Sequence, residues 1–199
     1  MIDPSLLVNG VLRGVLGGRR KRSKNALRFL TGRKGGWLSN PNTLLTAAGV
    51  AWGIFETLQS PPPLQSSPAA PPAPPLPDAL RLIRLAISAA NADGAVSDQE
   101  RAAIVEQAQA SGGSDLVAAE LAQPQPLKEI VSGVSQPAER AILYVLAFSI
   151  VRADGEPISG AERIYLAQLA NLIGLSPQDV QKLEKDAGDR IDAQEASSA

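Results

Sequence analysis

Nine of the eighteen residues from 60 to 77 are proline: Pro61, Pro62, Pro63, Pro68, Pro71, Pro72, Pro74, Pro75 and Pro77. Proline fixes φ and lacks an N–H, so this stretch is excluded from helix interiors and central strands. It reads as an extended, semi-rigid spacer that reaches roughly 50 Å at about 3.1 Å per residue. The spacer reading is preferred here to a ligand for an SH3-like partner. The run divides the chain into residues 1–59, the linker 60–77, a segment 78–187 and a polar tail 188–199 that is expected to be disordered.

The two halves differ in charge. Residues 1–60 hold nine basic and two acidic side chains, a balance of +7. From Asp78 onward there are ten basic and eighteen acidic, a balance of -8. The basic half should seek anionic lipid or nucleic acid, and the acidic half should avoid both. Aromatics make up 4% of the chain, while Ala and Leu are abundant. That favours helices over strands, which draw on aromatic and β-branched residues. There is no Cys and no His. Disulfides, thiol chemistry and the usual zinc sites are therefore excluded, and so is the commonest general acid/base.

Segment 78–187 reads as an all-α bundle of six to seven helices. Asp78 can cap a helix to about Ala92, with Leu82, Ile83, Ala86 and Ile87 or Ala90 on one face. A second follows Ser97, a short one covers 114–122, and a helical turn falls within 126–133. The most apolar helix, 137–153, is expected to be central. Another runs over 159–173 and ends at Gly174, a fitting residue just past a helix. Ser176-Pro177 opens the last one as N-cap and first helical residue.

This segment repeats itself. Ala92-Asp93-Gly94 leads to Val96-Ser97 and Glu100, and Ala153-Asp154-Gly155 leads to Ile158-Ser159 and Glu162. Both read helix, A-D-G, an aliphatic, S-x-x-E, helix. Two such helix–loop–helix units related by a pseudo-twofold would share one core through Val96 and Ile158. The S-x-x-E sequences are capping boxes, in which Ser and Glu satisfy N–H groups at the helix start. A cation site is the second reading. The first loop matches the latter half of a calcium-binding EF-hand loop, with Asn91, Asp93 and Glu100 at ligand positions. Ala89 stands where the first carboxylate belongs, and the second loop is one residue longer. The expectation is a weak calcium or magnesium site at most, formed by Asn91, Asp93, Glu100, Asp154 and Glu162.

From Ala79 to about Lys185 these motifs resemble the tellurite-resistance TerB-like domains, and more closely the YebE-like bacterial inner-membrane proteins of unknown function. The resemblance rests on A-N-A-D-G, on Val96-Ser97-x-x-Glu100, and on the second D-G unit with Ser159-x-x-Glu162. It implies an all-helical bundle, no known catalytic activity, metal-binding acidic loops in some relatives, and association with the inner membrane.

In the N-terminal half, Asp3-Pro4 starts a helix with Leu7, Val8, Val11, Leu12, Val15 and Leu16 on one face. Arg19, Arg20, Lys21, Arg22 and Lys24 follow. An apolar stripe beside a basic cluster fits an anionic membrane surface. Nucleic acid is the weaker partner, because no recognised nucleic-acid fold accompanies the short basic run. Residues 43–58 form an apolar stretch of about 24 Å if helical, short of a hydrocarbon core of roughly 30 Å. It is expected either to lie in the interface, with Trp37 and Trp52 as anchors, or to cross while self-associating through Ala47, Ala48, Gly49 and Gly53. A crossing would leave the N-terminus in the cytoplasm and the acidic bundle outside. No cleavable signal peptide is recognised, because the basic cluster follows the first apolar stripe.

Taken together, the sequence reads as a non-enzymatic, membrane-tethered helical module for interaction with a protein partner or for cation sensing. The rival is a soluble, metal-responsive stress module with a binding basic tail. Enzymatic acid/base work would need a carboxylate pair such as Asp93 with Asp154.

Overall fold

In the computed structural model the described residues are 4–17 and 76–196, apart from 93, 95, 110, 155 and 156. They form eight α-helices and no strand: α1 (Pro4–Gly17), α2 (Leu76–Ala90), α3 (Asp98–Gln109), α4 (Ser114–Ala122), α5 (Leu127–Ile130), α6 (Pro137–Val151), α7 (Gly160–Ile173) and α8 (Pro177–Ala196). A 3-10 turn, Arg152–Asp154, extends α6. The all-α bundle expected from composition is therefore present. Its boundaries follow local chemistry. Pro137 and Pro177 sit at the first helical position, and Gly174 ends α7 in the left-handed region.

The centre of the bundle is α6. All nine residues from 143 to 151 are buried, so this helix is enclosed on every side. Around it pack α2, α7 and α8. The two repeat units meet where α2 lies on α6, with Val96 buried and Ile158 partly buried against the same core.

Two expectations about the ends of the chain are corrected. The apolar stripe of α1 does not face outward. Leu7, Val8, Val11, Leu12, Val15 and Leu16 are all buried, and α1 packs against both α2 and α3. The main partners of α3 are α1 and α4, so α1 supplies much of what holds the first unit together. Two glycines make this possible. A Cβ on Gly14 would lie 2.4 Å from the Ile104 Cα, and one on Gly10 would lie 2.6 Å from the Gln107 carbonyl oxygen. The α1 and α3 backbones therefore touch along a G-x-x-x-G seam. Only Leu6 and Arg13 on this helix are exposed among its described side chains.

At the other end, α8 does not stop near Gly188 but continues to Ala196. Ala187 and Ile191 are buried, and Arg152 donates to both carboxylate oxygens of Asp192, at 3.0 and 2.9 Å. Tertiary contacts thus extend a helix whose polar sequence and mid-helix glycine argue against it.

Candidate functional site

The repeated loops are the part of the chain with the densest polar chemistry. In the first, Asn91 donates its amide to the Ile87 carbonyl at 2.8 Å and accepts from the Val96 N–H at 2.9 Å. That pair closes the loop, and Gly94 takes a positive φ of 152° in it. The Glu100 carboxylate then accepts from the Ser97 N–H at 2.9 Å and from the Ser97 hydroxyl at 2.8 Å. The Glu100 N–H in turn reaches the Ser97 Oγ at 3.3 Å. In the second loop Glu162 accepts from the Ser159 N–H at 2.7 Å and donates its own N–H to the Ser159 Oγ at 3.2 Å. Glu162 is buried. A third box, between Ser176 and Asp179, opens α8 in the same way.

Of the five expected cation ligands, Asn91, Glu100 and Glu162 are therefore engaged in loop closure and helix starts. Asp154 contributes backbone to the 3-10 turn, while its side chain and all of Asp93 lie outside the described residues. Among the described residues no group of three or more acidic side chains is placed to hold a metal ion. A capping role has a direct consequence. Ser97→Ala and Ser159→Ala should each cost about 1 kcal/mol of stability. Urea unfolding should give the same loss with calcium present or chelated.

Arg101 is a residue that the motif reading passed over. Its Nε donates to the Val96 carbonyl at 3.1 Å and its Nη1 to the Leu121 carbonyl at 3.0 Å. It ties the first loop to the last turn of α4, where backbone carbonyls lack helical partners. Arg84 pairs with Glu120 at 2.6 Å, joining α2 to α4, and Arg81 pairs with Glu139, joining α2 to α6. The Glu120 hydrogen bond holds the Arg84 guanidinium above its ordinary pKa.

Both tyrosines of the chain are packed inside this frame. Burial is the main cause that raises the Tyr144 pKa far above the ordinary value, and its 2.7 Å hydrogen bond to Glu184 adds to it. Burial also raises that of Tyr165, whose hydroxyl faces Ser88 without forming a well-made hydrogen bond. A folded-state pKa above the unfolded one gives stability that is complete below the unfolded value near 10 and is lost as pH rises past it. Tyrosinate absorbance should therefore stay absent through pH 10 and then appear together with loss of helical circular dichroism. Ordinary titration of either tyrosine in the folded chain would contradict the burial.

The second candidate is the stretch between α1 and α2. The basic cluster Arg19, Arg20, Lys21, Arg22 and Lys24, the two tryptophans Trp37 and Trp52, and the apolar run 43–58 all lie outside the described residues. What the structure does place is both ends of this stretch. Gly17 ends a helix packed on α2 and α3, and Leu76 begins α2 itself. Residues 18–75 are thus an insertion within one helical body. The sequence signal for this was Gly10 and Gly14, four apart on the apolar face of α1. No helix among the described residues is long and apolar enough to cross a membrane.

One family model matches the chain, over residues 3–187, and its description is a protein of unknown function (DUF533). No curated protein and no solved structure matches it. The match begins at α1 and continues through the insertion to α8.

Proposed function

We propose, from the premise that this chain belongs to the DUF533 family of unknown function, that it is a non-enzymatic helical scaffold that presents an inserted segment to an anionic membrane surface. The observation that carries the reading is the docking of α1 on α2 and α3. It makes residues 18–75 one excursion from a single body. That excursion holds eight basic side chains and one acidic one, a balance of +7, whereas the body is strongly acidic. Charge is thus segregated between the insertion and its support. A basic segment is drawn to anionic lipid, and an acidic body is held away from it. Trp37, Trp52 and the apolar run 43–58 would add interfacial anchoring.

The resemblance of the loops to TerB-like domains, and to the YebE-like inner-membrane branch, supports the same placement. The body would then be free to engage a protein partner. Cation sensing receives no such support, because the described loop residues Asn91, Glu100 and Glu162 are engaged in loop closure and capping.

The test is flotation of the full chain with vesicles. Binding should need anionic lipid and weaken as salt is raised. At about 1 kcal/mol per basic residue near the surface, changing Arg19, Arg20, Lys21, Arg22 and Lys24 to Gln should weaken it by roughly several thousandfold. Equal binding of this variant would remove the basic cluster from the account. Retention on nucleic acid without any flotation would favour the soluble alternative.

A further inference from the structure

We infer that α1 and the acidic bundle always lie on the same side of the membrane that the insertion engages, so that the insertion never carries the bundle across. This rests on the membrane reading above and adds its geometry. A single crossing within 43–58 would place residues 1–42 on one face and 59–199 on the other. Helix α1 belongs to the first group, and α2 through α8 belong to the second. Yet α1 fills space between α2 and α3. Its backbone at Gly14 meets the Ile104 Cα, and its Leu7 side chain lies where a Cβ on Gly113 would fall, 2.2 Å from the Leu7 Cδ1. Groups in such contact cannot be separated by a hydrocarbon layer of roughly 30 Å.

The number of crossings in 18–75 is therefore even. The insertion contains one long apolar run, 43–58, and prolines crowd the stretch after it. Two crossings would need a second run. Zero crossings remain. The orientation that the positive-inside rule gives for a crossing, with the bundle opposite the N-terminus, is thereby replaced. The basic residues then serve attachment and not topology.

The natural sequence makes the test direct, because it contains no cysteine. Three full-length single variants are made in a bacterial host: Leu6→Cys on the exposed edge of α1, Gln168→Cys on the exposed face of α7, and Val11→Cys in the buried stripe. Membrane vesicles of both orientations are treated with an impermeant maleimide. The expected result is that Leu6→Cys and Gln168→Cys label in the same vesicle orientation and not in the other. Val11→Cys should react at least roughly tenfold more slowly until urea is added, as a core position does. Labelling of Leu6→Cys and Gln168→Cys in opposite orientations, with Val11→Cys reactive, would overturn the inference and keep the membrane reading. Recovery of all three variants wholly outside the membrane fraction would take down both.

Discussion

A chain that begins at residue 78 is expected to lose cooperative unfolding, although the proline run marks that point as the natural start of the bundle. Such a chain lacks α1 and the first two residues of α2. Six apolar side chains of α1 are buried in the body. At about 1.5–3 kcal/mol each, their removal forfeits on the order of 10 kcal/mol, an upper estimate because unfolded chains already bury some surface. Domain stabilities are about 5–15 kcal/mol in total. Removing α1 also strips cover from Ile104 and Ala108, the buried positions of α3. The fragment should keep much of its far-ultraviolet helical signal and lose the near-ultraviolet signal of its two tyrosines, as expected when packing fails but helices persist. The control removes the insertion instead. Residues 1–17 joined to residue 76 by a flexible Gly/Ser linker of about 20 residues should unfold cooperatively, near the midpoint of the full chain. A fragment 78–199 with the midpoint of the full chain would show that α1 adds nothing to the core.

Helix ends were legible because their determinants are local. Ser159 and Glu162 close a box within four residues, Gly174 supplies the left-handed turn, and Pro177 accepts the one position where a missing N–H costs nothing. The central place of α6 was legible because a helix apolar all round must be enclosed. The place of α1 was not. An apolar stripe with polar flanks is the same pattern whether its partner is lipid or a helix, and the basic cluster that follows it points to lipid. Gly10 and Gly14 carried the discriminating information, since a surface-lying helix has no use for bare backbone at two positions one turn apart. The continuation of α8 was hidden for a different reason. Arg152 and Asp192 are 40 residues apart, and nothing near Gly188 announces the contact.

The candidate site divides in the same way. The S-x-x-E boxes were legible and formed as read, because each needs only its own turn. Convergence of Asn91, Asp93, Glu100, Asp154 and Glu162 was a statement about two distant loops, which one sequence does not specify. Arg101 escaped notice because its acceptors are backbone carbonyls, and these leave no trace in residue identity. The family match from residue 3 to 187 agrees with the packing. It treats α1, the insertion and the bundle as one unit, which is how α1 behaves when its contacts are counted as core.

The sign of the stability change in Gly14→Ala separates the two accounts of α1. On an exposed or membrane-surface helix, Gly to Ala in the interior gains about 1 kcal/mol from helix propensity. In the docked helix the new methyl would stand 2.4 Å from the Ile104 Cα. That neighbour is backbone, so no rotamer change relieves the overlap. The α1 and α3 axes must move apart, and the loosening spreads to Leu7, Val11 and Leu12 along the helix. Overpacking of this kind costs about 1–3 kcal/mol, which outweighs the propensity gain. Gly14→Ala should therefore lower the urea midpoint. Gly14→Leu, which adds three more carbons at the same point, should release α1 and reproduce the behaviour of the chain lacking it. Gly10→Ala should act in the same direction, because its methyl meets the Gln107 carbonyl oxygen at 2.6 Å. Arg13→Ala, on the exposed edge of the same helix, should change stability by less than about 0.5 kcal/mol. A rise in midpoint for both glycine variants would mean that α1 is undocked in solution. The insertion would then have one free end, and no contact would hold the bundle on the same side of the membrane as α1.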